Sequence, residues 1–363
     1  MSLAPFGWDE GFADLFAAAL ARRKTDAARA RLRPGRVTIE FNHNYRIVTD
    51  AGEIDAVLAG RVKHHATTRA DLPAVGDWVV VRKHDDEDRG AIVAVLDRRS
   101  RFSRRMAGDV TDEQVVAANV DVVFIVMALD DDFSVRRLER YLLMARESGA
   151  TPVIVLTKPD LATDLAAQVA DAVTIASAVP VHVVNPRKRE GLDLVAQYLS
   201  IGRTGTLLGS SGVGKSTIIN GLVGADVQKT REVRAADSKG RHTTTHRELV
   251  RLPGGGLLID TPGMRELQLW EAPDGIRETF DDIEALAAGC RFTDCRHRDE
   301  PGCAVKQAVE AGDLPASRLE SYHRLQDELA FLARQQDERA LIEEKRRGRI
   351  GAKALRQHLK MKR

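Results

Sequence analysis

The chain has 363 residues, with 55 lysines and arginines against 53 aspartates and glutamates, for a net charge of +2. That length predicts two or three domains, each with its own core, and the near-neutral balance excludes a uniformly basic nucleic-acid coat, leaving local patches as the only basic surfaces. The three cysteines lie close together at Cys290, Cys295 and Cys303, which is not a secreted disulfide framework, and no apolar run approaches the ~20 residues of a membrane span. Asp9 and Glu10 precede the apolar residues 13–21 where a signal peptide would carry positive charge. The expectation is a soluble cytoplasmic protein with no membrane partner, acting as a monomer.

From Asp9 to about Arg33 the residues Phe12, Leu15, Phe16, Ala19 and Leu20 recur at helical spacing, followed by several arginines and Lys24, with Pro34-Gly35 as the expected stop. Such a helix either packs on its own protein or serves as a basic docking arm. Residues 37–48, 53–62, 76–83 and 90–96 alternate between turn residues, which predicts a small twisted barrel, an OB-fold foremost. Its surface would offer Phe41, His43, Tyr45, Arg46, Lys63, His64 and Arg69 to RNA, unless the aromatics are core. From Val120, apolar strands at 122–128, 152–156 and 181–184 alternate with helices at 135–147, after Asp160 and from Gly191, the pattern of a parallel sheet flanked by helices. Residues 246–252 and 256–259 read as a hairpin that delivers Asp260. Beyond about Thr279 the chain is cysteine-bearing and then helical, with Leu325, Leu329 and Leu332 on one stripe. The basic run 345–363 is either a solvated tail or an RNA contact.

Gly209-Ser210-Ser211-Gly212-Val213-Gly214-Lys215-Ser216 is a complete phosphate-binding loop, with Thr217 opening the helix behind it. Glycine-freed backbone N–H groups curl around phosphates at a helix N-terminus, Lys215 would bridge the β- and γ-phosphates, and Ser216 would ligate Mg²⁺. Asp260-Thr261-Pro262-Gly263 follows an apolar strand, placing one carboxylate near the Mg²⁺ and the Gly263 N–H near the γ-phosphate. Thr157-Lys158-Pro159-Asp160 follows another such strand. The Asp160 carboxylate can accept from the ring N–H and exocyclic amine of guanine, whereas adenine would leave it unpaired, and Lys158 would lie along the base. In an ordinary GTPase the phosphate loop comes first and the guanine motif last; here the order is permuted. Cys290, Cys295, His297 and Cys303 offer three thiolates and one imidazole, enough for a closed tetrahedral zinc site, one per chain and structural.

These motifs, with Leu72-Pro73-Ala74-Val75-Gly76-Asp77-Trp78-Val79, Ala118-Asn119-Val120-Asp121 and Gly240-Arg241-His242-Thr243-Thr244-Thr245, resemble the circularly permuted GTPases of the RsgA (YjeQ) type, the small ribosomal subunit biogenesis GTPases. The resemblance implies a multidomain chain in which an all-β OB-fold barrel precedes a circularly permuted α/β P-loop GTPase domain and a small, mostly helical zinc-binding domain. The expected divisions are 1–36 for an N-terminal helical extension, 37–103 for the barrel, 104–278 for the GTPase and 279–363 for the zinc domain with its basic tail. The implied function is a GTPase that binds the small ribosomal subunit and its rRNA, is stimulated by it, and turns GTP into GDP and phosphate as a late assembly checkpoint. Met264 stands where many GTPases place a water-orienting Gln; the resemblance assigns that role to His242, with Thr244 joining Ser216 and Asp260 as a Mg²⁺ ligand. Where the family carries a Ser-Ala or Ser-Ser pair near the guanine, this chain has Asn185-Pro186 followed by Arg187-Lys188-Arg189-Glu190-Gly191. Two other readings are an rRNA-placement factor gated by nucleotide, with incidental turnover, and a zinc-containing ATPase, against which Asp160 argues.

Overall fold

The computed structural model describes residues 1–22, 31–83, 88–105, 113–176, 178–224, 247–260, 276–277, 279–330 and 334. The chain divides into a unit of residues 1–268 and a second of residues 269–363.

Five strands open the first unit: β1 (Leu32–Phe41), β2 (Asn44–Thr49), β3 (Gly52–Leu58), β4 (Trp78–Lys83) and β5 (Arg89–Val95). β1 pairs with β2 and β4, β2 with β3, β3 with β5 in parallel, and β5 with β4, so the ladder closes on itself as an OB-type barrel. Closure requires one stretch of strand to serve two neighbours, and Gly35 and Arg36 do so, facing Thr49 and Val48 on one side and Val79 and Trp78 on the other. A Cβ on Gly35 would stand 2.5 Å from Ile47 Cγ2. Pro34-Gly35 is therefore not a helix stop but part of β1. Pro34 is tolerated because it precedes the β2 pairing, where β1 still has a neighbour on one side only. Two further expectations change: residues 60–65 form a helix, α2 (Gly60–His65), rather than continuing a strand, and Tyr45 is buried among Val37, Ile47 and Val81 in the barrel core, not offered to RNA.

Helix α1 (Glu10–Ala21) begins at Asp9, whose carboxylate accepts from the Phe12 N–H. It lays Phe12 against Leu32, Trp78 and Val80 on the outside of the barrel. Arg99 clamps the start of the helix, donating to both Asp9 oxygens while its guanidinium lies 3.9 Å from the Phe12 ring centre.

A hairpin that the periodicity did not predict, β6 (Arg101–Arg105) and β7 (Glu113–Ala118), leads into the nucleotide sheet. That sheet contains β8 (Val122–Ala128), β9 (Thr151–Thr157), β10 (Val181–Val184), β11 (Thr204–Leu208), β12 (Arg247–Arg251) and β13 (Leu257–Asp260), in the spatial order β10-β9-β8-β11-β13-β12. Only β12 runs antiparallel to its neighbour in this set. Its other edge pairs with β1 of the barrel, Ile39 with Glu248 and Glu40 with Arg247, so barrel and nucleotide sheet are one 11-stranded ladder. Helices α3 (Val135–Glu147), α4 (Leu165–Ala176), α5 (Leu192–Ala196) and α6 (residues 215–224) accompany the strands. Ser134 caps α3 through the Arg137 N–H, and the expected bounds of α3 match those observed.

Buried polar groups lock the barrel to the sheet. Arg36 donates to the carbonyls of Phe6, Gly76 and Asn119, and burial lowers its pKa to about 10, so it stays charged at neutral pH. Gly76 is left-handed (φ 93°), and a Cβ there would meet the Ala118 carbonyl oxygen at 2.1 Å. Asp77 is fully buried and receives two bonds from Arg98, at 2.8 and 2.7 Å, and one from the Ala74 N–H at 2.7 Å. Segments 72–79 and 118–121 are thus the seam of the first unit.

In the second unit α7 (Asp281–Ala287), α8 (Ala304–Ala311) and α9 (residues 316–330) surround Phe280 and Tyr322. Arg318 donates to both Asp282 oxygens at 2.9 Å with its guanidinium 4.3 Å from the Phe280 ring centre. Leu325 is buried and Leu329 half-buried, while Leu332 and the basic run 345–363 lie outside the described residues.

Removing one partner of a buried charge pair leaves the other uncompensated, a loss of about 3–5 kcal/mol. Asp77→Asn is therefore expected to lower the denaturation midpoint markedly in a urea titration, whereas Asp55→Asn, which removes an exposed partner of Arg46, should stay within about 1 kcal/mol of the unchanged protein.

Candidate nucleotide site and metal centre

The phosphate loop spans the end of β11 and the start of α6, at the same end of the sheet as the close of β8, β9 and β13. Gly209 has φ 153°, and a Cβ on it would approach the Val126 carbonyl oxygen to 2.3 Å, so the loop passes over β8 too closely for any side chain. Gly212 and Gly214 are also left-handed, at φ 81° and 102°. The Lys215 ammonium folds back over the loop, donating to the carbonyls of Gly209, at 2.6 Å, and Ser210. Ser210 is held by Arg137 Nη1 at 3.2 Å and lies 3.1 Å from the Tyr141 hydroxyl, both from α3. Ser211 and Ser216 are exposed, Val213 is buried, and Thr217 sits half-buried in the first turns of α6.

Thr157 ends β9 and is buried, its hydroxyl 2.5 Å from the Val213 carbonyl oxygen. A residue of the base-reading motif thereby touches the phosphate loop directly, across 56 positions of sequence. Lys158 follows in the left-handed region (φ 56°), and its ammonium lies 2.7 Å from Asp130 Oδ2. That hydrogen bond holds the Asp130 carboxyl below its ordinary pKa, against the opposing effect of burial. Pro159–Leu161 form a 3-10 turn that presents Asp160 on the surface. There Asp160 Oδ1 accepts from Asn185 Nδ2 at 3.0 Å. Asp260 closes β13 opposite Glu248, one position beyond the Thr206–Ile259 pair, which brings its carboxylate level with the strand that enters the phosphate loop. His242, Thr244, Gly263 and Met264 lie outside the described residues. Asp130, Arg137 and Tyr141 had no motif to announce them, and Asn185 showed only as a departure from the family's Ser pair near the guanine; the contacts that single them out join segments distant in sequence.

The other four candidates meet in the second unit. One ligand atom from each of Cys290, Cys295, His297 and Cys303 lies within 4.8 Å of the others, and these residues could hold a metal ion. Cys290 Sγ stands 3.6 Å from His297 Nδ1 and 3.9 Å from Cys303 Sγ, and His297 Nδ1 is 3.4 Å from Cys303 Sγ. His297 adopts φ 60° to turn its ring inward, and the Glu300 carboxylate ties the loop by accepting from the N–H groups of Arg296 and Arg298. Burial, with the neighbouring His323 adding to it, holds the His297 imidazole below its ordinary pKa and so in the neutral form that binds metals. Cys303 caps α8, its sulfur 3.5 Å from the Lys306 nitrogen.

Residues 95–270 match the family model described as RsgA GTPase. The small ribosomal subunit biogenesis GTPase RsgA of Opitutus terrae is 47% identical over 346 residues, covering 93% of this chain and 92% of that protein. The chain belongs to the RsgA GTPase family. A second relative, RsgA 1 of Oceanobacillus iheyensis, is 48% identical over 86% of this chain and 89% of its own length. Among solved structures, YjeQ from Thermotoga maritima superposes with a TM-score of 0.63 at 28% identity, covering 82% of this chain and 99% of that one. YloQ, a circularly permuted GTPase, shares the fold with a TM-score of 0.59, covering 82% of this chain and 95% of that one. Family membership and the meeting of the two motifs agree: this RsgA-family chain is a GTP-hydrolysing enzyme.

The Thr157 hydroxyl couples the two halves of the site, and a valine of the same shape would leave the Val213 carbonyl buried without it. Losing such a bond costs about 1–3 kcal/mol, so Thr157→Val is expected to weaken GDP and GTP alike by roughly tenfold in a calorimetric titration.

Proposed function

We propose that the chain binds the small ribosomal subunit and its rRNA and hydrolyses GTP there as a checkpoint late in assembly. The Thr157 contact with the phosphate loop carries this reading, because it makes one site of a guanine motif and a phosphate motif that the sequence separates. Both RsgA relatives are named as small ribosomal subunit biogenesis GTPases, which supports the choice of partner. Asp160 would accept from the two donors of guanine, Lys158 would flank the base, Gly209 to Thr217 would cradle the phosphates, and the Gly263 N–H would meet the γ-phosphate.

Ser216, Asp260 and Thr244 would hold magnesium, which supplies neutralisation of phosphate charge when bound. Ser216 at the head of α6 and Asp260 at the end of β13 stand at the same edge of the sheet, which supports that donor set. Since Met264 cannot hydrogen-bond water effectively, His242 would orient the attacking water, and its preorganisation would depend on contact with rRNA. The mechanism asks little covalent chemistry of the protein: Lys215 and the loop amides position the phosphates, and one base aligns the water.

For the metal centre the proposed ion is zinc, one per chain. A tetrahedral ion about 2.3 Å from sulfur and 2.0–2.1 Å from nitrogen gives ligand edges of roughly 3.5–3.8 Å; the separations among Cys290, His297 and Cys303 are 3.4, 3.6 and 3.9 Å, and Cys295 lies within 4.8 Å of each. Four protein donors leave no position for water, so the role is structural. The proposed organisation keeps the barrel, the GTPase sheet and the zinc-bearing segment as functional parts at about 37–103, 104–278 and 279–363, working as a monomer in the cytoplasm. No helix among the described residues is long and apolar enough to cross a membrane.

GTP turnover measured against added small subunits tests the main claim. Turnover is expected to rise by a large factor, toward the roughly 10³–10⁵ that completion of a GTPase site by a partner gives; a flat response would remove the checkpoint role. His242→Ala should keep GTP and subunit binding and lose most of that stimulation. Elemental analysis should find one zinc per chain, and Cys295→Ser with Cys303→Ser should abolish it together with the fold of residues 290–303, given the ~10–16 kcal/mol of apparent binding free energy at such sites.

A further inference from the structure

We propose that Asn185 sets the guanine selectivity of this chain, as a positioning residue that holds Asp160 in the orientation reading both donors of the base. The inference rests on the reading of Asp160 as the guanine-recognising carboxylate. Asn185 directly follows β10 and is 5% exposed, although it is polar and stands beside an exposed turn of Arg187, Lys188 and Arg189. Its backbone exchanges two hydrogen bonds with Glu190, each 3.0 Å, closing that turn. Arg189 and Gly191 complete the reversal in the left-handed region, at φ 61° and 74°.

The side chain then binds at both ends. Nδ2 donates to Asp160 Oδ1 at 3.0 Å, and Oδ1 accepts from the Lys188 N–H at 3.3 Å. Chemistry fixes which end is which: a carboxylate only accepts and a backbone N–H only donates, so a flipped amide would set oxygen against oxygen and N–H against N–H. The turn therefore aims the Asn185 amide, and the amide fixes the Asp160 carboxylate. That last step matters because the terminal torsion of an aspartate is broad, and Asp160 is exposed. Guanine offers two parallel donors, the ring N–H and the exocyclic amine, and only a carboxylate held in the plane of the base accepts from both. A freely turning one satisfies either donor alone. Each Asp160 oxygen has further lone-pair capacity, so the bond from Asn185 does not compete with the base. Its donor also faces a charge, which places it among the stronger hydrogen bonds.

The exocyclic amine is the group that distinguishes guanine from hypoxanthine, so the readout is the ratio of GTP to ITP affinity in the full-length chain. The unchanged protein should prefer GTP. Asn185→Ala should lose GTP affinity roughly tenfold, the size of a lost hydrogen bond to a charged group, and lose less ITP affinity, so that the ratio narrows. Asn185→Asp keeps the shape and the acceptor for Lys188 but puts a carboxylate against Asp160, and should narrow the ratio at least as far. Asp160→Asn, run in parallel, should transfer preference to XTP. If Asp160→Asn leaves base preference unchanged, the reading of Asp160 fails and the inference with it. If Asp160→Asn shifts the preference while both Asn185 variants weaken GTP and ITP by one common factor, or leave both intact, Asp160 stands and Asn185 is only a turn former.

Discussion

Val122 to Ile125 runs parallel to Gly205 to Leu208, and the nucleotide site depends on that pairing. β8 belongs to the part of the chain that carries the guanine motif, and β11 to the part that carries the phosphate loop. Parallel neighbours bring their carboxyl ends to the same edge of a sheet, which is where ligands bind in open α/β folds. With β8 and β9 fixed beside β11, Thr157 reaches Val213 and the Gly209 turn crosses over Val126. Permutation of the sequence leaves this arrangement intact because the ladder is indifferent to the order in which its strands are connected.

The same ladder extends in the other direction. β12 and β13 form the hairpin that ends in Asp260, and β12 is also hydrogen-bonded to β1 of the barrel. Arg247 reinforces that edge with an ion pair to Glu40 at 3.3 Å, both side chains largely buried. The residues that follow the phosphate loop thus return to the sheet through a strand shared with the barrel. Arg36, Asp77 and Asn119 close the seam between residues 72–79 and 118–121 with hydrogen-bonded groups, the condition under which buried polar residues stabilise rather than cost.

Much of this was legible in the sequence, and the misses share a cause. Motifs whose function is local were readable, because glycine spacing, a strand-ending aspartate and clustered thiols each describe chemistry within a few residues. The sheet strands were readable for a related reason: Val122 to Ala128 is buried along its whole length and shows as an unbroken apolar run. Pro34-Gly35 misled because a barrel corner requires a residue without a side chain, and locally that requirement looks like a helix stop. Tyr45 misled because inward and outward aromatics are alike in a five-stranded barrel until its closure is known. Asp130 carried no signal, and Asn185 showed only as a departure from the family's Ser pair near the guanine, since their importance comes from Lys158 and Asp160, which reach them only in the folded chain.

On this arrangement one guanine nucleotide should engage both motifs at once. Amide hydrogen exchange with saturating GDP or ADP tests it most directly. GDP is expected to protect residues 157–161 and 209–217 together, in a single transition with one nucleotide per chain, while ADP at the same concentration protects neither. Protection of the phosphate loop alone, or equal protection by ADP, would contradict it.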